Sequence, residues 1–162
     1  MQKEKLRILQ NMPIFGGIRG DILEFILEMA EIVSVPKGEY FFRENDPGNS
    51  MYVLEKGTVE VIKSWKGHNY LLTELHKGDC FGEMSLIDLA PRTASVVALE
   101  DCVAIKLTNG NILNIYRKDV EQFTMIQMNI GREICRRLRR TDELLFEKYV
   151  ETDKFSKKNY GG

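Results

Sequence analysis

The chain is poor in the side chains that carry covalent or metal chemistry. Cys80, Cys102 and Cys135 are odd in number, widely spaced and without a Cys-x-x-Cys pair, which excludes a disulfide framework and a thiolate zinc site of ordinary spacing. Free thiols in a reducing cytosol, buried as small hydrophobes, are the expectation. His68 and His76 are the only histidines, and neither sits in a His-Glu-x-x-His pattern; a nucleophile elbow and a Gly-x-x-x-x-Gly-Lys phosphate loop are also missing. Neither a metal ion nor covalent catalysis has support, and the chain is read as a non-enzyme. Both histidines read as strand-surface residues, and the single tryptophan, Trp65, as partly buried packing at a strand end. Residues Met1 to Gln10 carry Lys3, Lys5 and Arg7 without an apolar segment, so neither a signal peptide nor a membrane span is expected. The expected location is the cytoplasm, with no membrane partner. Charge of one sign is lacking too: 23 basic against 24 acidic residues give a net charge of -1, which offers no global attraction to nucleic acid or an anionic bilayer. Any partner must be recognised locally.

What is present is an ordinary globular composition, 43% apolar and 29% charged, at a length that buries a core without disulfides or metal. Leu6, Ile8 and Leu9 give helical spacing over Lys3 to Met12, and the Pro13-Ile14-Phe15-Gly16-Gly17 run ends that helix. Asp21 is a credible cap for a second helix, Ile22 to Glu31. From Ile32 the hydrophobic period falls towards two, and Gly-containing turns at 36–38, 46–49, 56–57, 66–67 and 77–79 separate strands near 32–35, 39–43, 50–55, 58–65, 69–75, 94–99 and 102–107. Regular short strands indicate a roll or sandwich. Thr108-Asn109 can cap a helix through Tyr116, and a longer helix follows Asp119. The chain therefore divides into a helical element (1–31), a β region (32–107), C-terminal helices (108–150) and a polar, disordered tail (151–162).

One stretch, residues 81–95, assembles an anion site beside a hydrogen-bond acceptor. Gly82 admits close backbone approach, and Glu83, Met84, Ser85 and Leu86 read as a helical turn whose first amides lack internal partners. Arg92 follows a proline-fixed loop with a planar fork of donors suited to two phosphate oxygens, while Glu83 can accept from a neutral hydroxyl. The alternative is a surface pair between Glu83 and Arg92 that binds nothing. The whole run, Phe-Gly-Glu-Met-Ser-Leu-Ile-Asp-Leu-Ala-Pro-Arg-Thr-Ala-Ser, resembles the phosphate-binding cassette of the cyclic nucleotide-binding domain family. The resemblance extends over the β region, where Gly38, Gly48, Gly57, Gly78 and Gly82 fall at the family's turn positions and residues 51–61 resemble its hairpin over the pocket. It implies a mainly β fold, an eight-stranded jelly-roll-type β-roll with N-terminal helices and a long C-terminal helix. It also implies that Phe81, Gly82, Glu83, Met84, Ser85, Arg92, Thr93 and Ala94 surround the phosphate and ribose of a cyclic nucleotide.

In the long helix Phe123, Ile126, Ile130, Ile134, Leu138, Thr141 and Leu145 step by three or four residues, a stripe suited to a parallel homodimer or, more plainly, to packing on the chain's own roll. Residues 135–143, Cys-Arg-Arg-Leu-Arg-Arg-Thr-Asp-Glu, resemble the dimerisation helix of bacterial catabolite activator proteins, where a Thr meets the base in its own subunit and the next residue reaches the partner's ligand. That resemblance implies base contacts for Thr141 and Asp142, the latter in place of the usual Ser. A solvated helix face is the plain reading of both. A carboxylate only accepts hydrogen bonds, so Asp142 suits the adenine amino group or a guanine edge. The expected ligand is cAMP, with cGMP the alternative permitted by Thr93 and Asp142. The arginines at 132, 136, 137, 139 and 140 lack interleaved aromatics and read as a solvated flank paired with Glu133, Asp142, Glu143 and Glu147. Fewer than twenty residues follow Glu143, too few for a helix-turn-helix domain, so no DNA binding is expected of this chain alone. The reading is a cyclic nucleotide sensor whose downstream effector the sequence does not name; the rival is a ligand-free structural dimerisation module.

Overall fold

Pro13 has no amide hydrogen to donate and cannot prolong the helix before it, so the chain first turns there. The computed structural model describes the backbone of residues 2–152 and the side chains of residues 5–152. Helix α1 (Gln2–Gln10) leads through a 3-10 turn (Pro13–Phe15) to α2 (Gly20–Met29). Asp21, expected to cap α2, lies inside its first turn. The capping position is Arg19, whose side chain makes no cap bond and pairs instead with Asp21 at 3.1 Å and Asp119 at 2.9 Å. Ala30 is already extended, so α2 stops at Met29 rather than Glu31.

Eight strands follow: β1 (Glu31–Val35), β2 (Tyr40–Phe42), β3 (Ser50–Lys56), β4 (Val59–Trp65), β5 (His68–Leu75), β6 (Cys80–Phe81), β7 (Ser95–Ala98) and β8 (Cys102–Thr108). They form two antiparallel four-stranded sheets, β1-β8-β3-β6 and β2-β7-β4-β5, the β-roll expected. The seven strands read from sequence all form. The additional β6 is two residues long, too short to show alternation, and exists because Phe81 and Cys80 pair with Tyr52 and Val53 of β3.

Strand β3 explains the architecture through its period of two. Met51 and Val53 enter a core shared with Leu9, Phe15, Leu23, Ile26, Ile115, Ile126 and Ile130 of the helices, whereas Tyr52 and Leu54 enter the roll with Val59, Phe81 and Ala104. Both faces of this strand are buried, and its hydrophobic run follows. At about 25 cal/mol per Å² of apolar surface, these two cores are the main source of stability. Cys80 and Cys102 are buried as expected, but Cys135 is exposed. Trp65 does not pack either: at 65% exposure it sits on the β4–β5 hairpin, which projects past the cores with Tyr70, Leu71 and Leu72 also exposed.

Thr108 and Asn111 form a reciprocal capping box at the start of α4 (Asn109–Lys118). Helix α5 (Val120–Thr152) then runs two residues beyond the boundary expected at 150, and residues 153–162 of the expected disordered tail lie outside the described residues. The expected stripe on α5 splits. Ile126 and Ile130 are buried, with Phe123 and Ile134 against the same core, whereas Leu138 and Leu145 are exposed, as is Thr141. Its first half therefore packs on its own chain. Two buried amides fix that half: Gln122 Oε1 accepts from the Arg19 amide at 2.8 Å, and Asn129 Nδ2 donates to the Ile14 and Gly16 carbonyls at 3.2 and 2.9 Å. Among the described residues no helix is long and apolar enough to cross a membrane, and no group of His, Cys, Asp or Glu could hold a metal ion.

Candidate functional site

The cassette is positioned by the pairing of β6 with β3. Phe81 stacks on Tyr52 with ring centroids 5.3 Å apart and meets Phe41 edge-on at 5.0 Å, so the chain leaves a rigid aromatic cluster at Gly82. There φ is +76°, and a Cβ would stand 2.6 Å from Arg92 Nη1 and 3.1 Å from the Ser50 carbonyl. Only glycine serves at this point. Helix α3 (Glu83–Asp88) begins at once, with no side-chain cap on its first amides. Ser85 is buried because Gly48 lets the preceding loop close on it: a Cβ at Gly48 would come within 2.3 Å of Ser85 Cβ. Gly48 is thus required for close approach alone, whereas the other four turn glycines of the motif have positive φ, Gly57 and Gly82 with close neighbours as well.

Arg92 lies at the centre of this arrangement and is 4% exposed. Its backbone is held by the 43–49 loop, the Arg92 amide donating to Asp46 O at 2.9 Å and the Asn45 amide to Arg92 O at 2.8 Å. Nη1 donates to Gly82 O at 3.0 Å, Nη2 to Ser50 Oγ at 3.1 Å, and the guanidinium lies 4.0 Å over the Phe42 ring. Nε is buried and makes no hydrogen bond among the described residues. Among the described residues no carboxylate forms an ion pair with Arg92, and burial lowers its pKa below the usual arginine range. The expected alternative, a surface pair with Glu83, is not formed.

Glu83 is 3% exposed and takes a different partner. Arg137 of α5 donates from Nη1 to Glu83 Oε1 at 2.9 Å, from Nε to Glu133 Oε1 at 3.2 Å, and from Nη2 to the Cys80 carbonyl. Burial pushes the Glu83 carboxyl above the usual glutamate range, against the opposing pull of Arg137. A carboxylate has further lone pairs for a hydroxyl donor. The neighbouring Cys80 thiol is pushed up to about 12 by burial, so it stays protonated and supplies no nucleophile.

The remaining sequence-predicted residues lie around this centre or apart from it. Ala94 is buried, Thr93 is exposed directly after Arg92, and Met84 is 45% exposed on α3. Thr141 and Asp142 are exposed on α5, with Thr141 Oγ1 donating to the Arg137 carbonyl at 3.0 Å. Thr141 therefore stands one turn beyond the residue that grips Glu83. Of the arginine flank, Arg136 and Arg137 pair with Glu133, while Arg132 donates to Asn129. Sequence reasoning missed Ser50, Phe42 and the role of Arg137. The last was the one with a signal, four residues before Thr141 in the same basic run.

The sequence profile described as the cyclic nucleotide-binding domain matches residues 32–119, more than half of the chain and the whole of the Arg92 site. The chain belongs to the cyclic nucleotide-binding domain family. Proteins of different kinds are similar to it. The CRP-like cAMP-activated global transcriptional regulator of Mycobacterium tuberculosis is 29% identical over 139 residues, 85% of this chain and 60% of that protein. Mouse cGMP-dependent protein kinase 2 is 32% identical over 114 residues, 69% of this chain and 15% of the kinase. The crystal structure of Thermus thermophilus catabolite activator protein superposes with a TM-score of 0.74 at 29% identity, covering 85% of this chain and 63% of that one. This cyclic nucleotide-binding domain thus spans only part of the length of each of these relatives.

Proposed function

We propose that this domain is a cytoplasmic sensor of cAMP that signals through α5 of a homodimer. The observation that carries the reading is the Arg92 guanidinium, buried beside the start of α3, with a free Nε and no carboxylate in an ion pair with it among the described residues. A buried charge without a counter-ion is costly, and a phosphate supplies one. The phosphate meets Arg92 and the amides following Gly82, while Glu83 accepts from the ribose hydroxyl. Phe81 and Ala94 support the site from the roll side, and Met84, Ser85 and Thr93 edge it.

For the base, the reading uses Thr141 and Asp142, on the helix that Arg137 ties to the cassette. The exposed half of α5 carries Cys135, Leu138, Asp142, Leu145, Tyr149 and Thr152 at alternating steps of three and four, the spacing of a two-stranded seam. A second copy paired along it brings the partner's Asp142 towards the ligand. The likeness to the mycobacterial regulator, described as cAMP-activated, supports cAMP. Thr93 and the likeness to the kinase described as cGMP-dependent support cGMP as the alternative. Competition titration of cAMP against cGMP, on the parent, Thr93→Ala and Asp142→Ala, tests the choice. Parent preference for cAMP is expected; a cGMP preference erased by both substitutions overturns it.

A further inference from the structure

We infer that Ser50 is a positioning residue for the anion site, fixing Arg92 in its binding rotamer without neutralising it. The inference rests on the proposal that Arg92 holds a phosphate. An arginine side chain has much rotamer entropy to lose, and a site that orders it beforehand binds more tightly. Arg92 is ordered by three contacts: the Gly82 carbonyl, the Phe42 ring and the Ser50 hydroxyl. The first is backbone and the second lacks the directionality of a hydrogen bond, so Ser50 is the side-chain hydrogen-bond partner of Arg92 among the described residues. Ser50 is 2% exposed and starts β3, where it pairs with Thr108 of β8. It is therefore anchored on the strand that has both faces packed.

The chemistry of the acceptor matters as much as its place. A carboxylate here would pair with the guanidinium and become an internal counter-ion in competition with phosphate. A hydroxyl is uncharged, so it accepts the hydrogen bond from Nη2 without neutralising the guanidinium. Nη1 and Nη2 are then both directed to protein oxygens, and Nε is left buried with no acceptor among the described residues.

The test is calorimetric titration of cAMP and cGMP into the parent, Ser50→Ala, Ser50→Asp, Arg92→Ala and the Ser50→Ala/Arg92→Ala double variant, with thermal unfolding of each ligand-free protein. Ser50→Ala is expected to bind about tenfold more weakly, the weight of a hydrogen bond to a charged group. In the Arg92→Ala background the same change is expected to have no further effect, because Ser50 acts through Arg92. Ser50→Asp is expected to lose as much affinity as Arg92→Ala while remaining folded. If Ser50→Ala does not fold, Ser50→Cys, of similar shape and a poorer acceptor, takes its place. Parent-like binding by Ser50→Ala, or an undiminished effect in the Arg92→Ala background, overturns the inference alone. A parent that binds neither nucleotide overturns the phosphate reading and this inference with it.

Discussion

Arg137 and Glu83, 54 residues apart in sequence, form an ion pair of 2.9 Å that joins the long helix to the first residue of the cassette helix. Glu83 is almost fully buried and Arg137 only partly, so removal of the arginine strands a carboxylate in the protein interior. Arg137→Ala is expected to cost about 2 kcal/mol, below the value for a fully buried pair because the arginine is partly solvated. Glu83→Gln in the same chain should restore most of that loss. Denaturant unfolding of the two single variants and the double variant measures the coupling; additive effects would show that the pair does not hold α5 to the roll.

The pH dependence follows from the raised pKa of Glu83. Its folded state holds the proton more tightly than the unfolded chain, so its contribution to stability is full below the unfolded pKa. It is lost as pH rises through the folded value. Glu83→Gln removes this dependence. The variant's stability relative to the parent should therefore increase with pH across the window just above the ordinary glutamate value and level off beyond it. Unfolding midpoints over that window provide the check, and a parent that gains on the variant with rising pH contradicts the assignment.

Leu89 ends the cassette helix in the left-handed conformation, φ +58°, with 71% of its surface exposed. A leucine is strained there, and little apolar burial offsets the strain. Leu89→Gly should raise stability by about 1 kcal/mol, a rise of roughly 2–4 °C in Tm for a domain of this size. Differential scanning calorimetry reads the change directly. A lower Tm would mean that the leucine side chain contributes contacts that its exposure does not reveal.

The proposed seam on α5 makes two opposite predictions. Leu138→Asp should yield a monomer by introducing a charge into the apolar line. Asp142→Asn should tighten the dimer, because two parallel helices place equivalent carboxylates against each other at this step of the repeat. Sedimentation velocity at tens of micromolar distinguishes these outcomes, and a parent that is monomeric with and without nucleotide removes the seam from the account.

The β-roll was readable from residues whose pattern is local. The apolar run of β3, the alternation in β4, turn glycines and the Thr108 cap each act within a few positions, and the cassette is continuous in sequence. What escaped reading depends on distant partners. Strand β6 exists only through β3, and Arg19 replaces Asp21 at the start of α2 because it pairs with Asp119 as well as Asp21. The stripe on α5 was seen correctly as a periodicity, but periodicity does not say where the body of the domain ends. Ile130 is packed and Leu138, two turns on, is not. By residue type Trp65 was read as partly buried and Cys135 as buried, yet both are exposed. In the site itself, Glu83 and Arg92 were identified by motif, whereas Ser50 and Phe42 came into view only when β2 and β3 were placed around the guanidinium.

On the proposed function, Arg92 is a buried cation built to receive the phosphate of a cyclic nucleotide. Isothermal titration of the parent and Arg92→Ala with cAMP tests it most directly, each protein first shown to be folded by circular dichroism. Saturable binding is expected for the parent. A loss of about 3 kcal/mol, roughly a hundredfold, is expected for the variant, in which the phosphate has no charge-assisted partner. Equal affinity in the two folded proteins, or no binding of cAMP or cGMP to the parent, would contradict it.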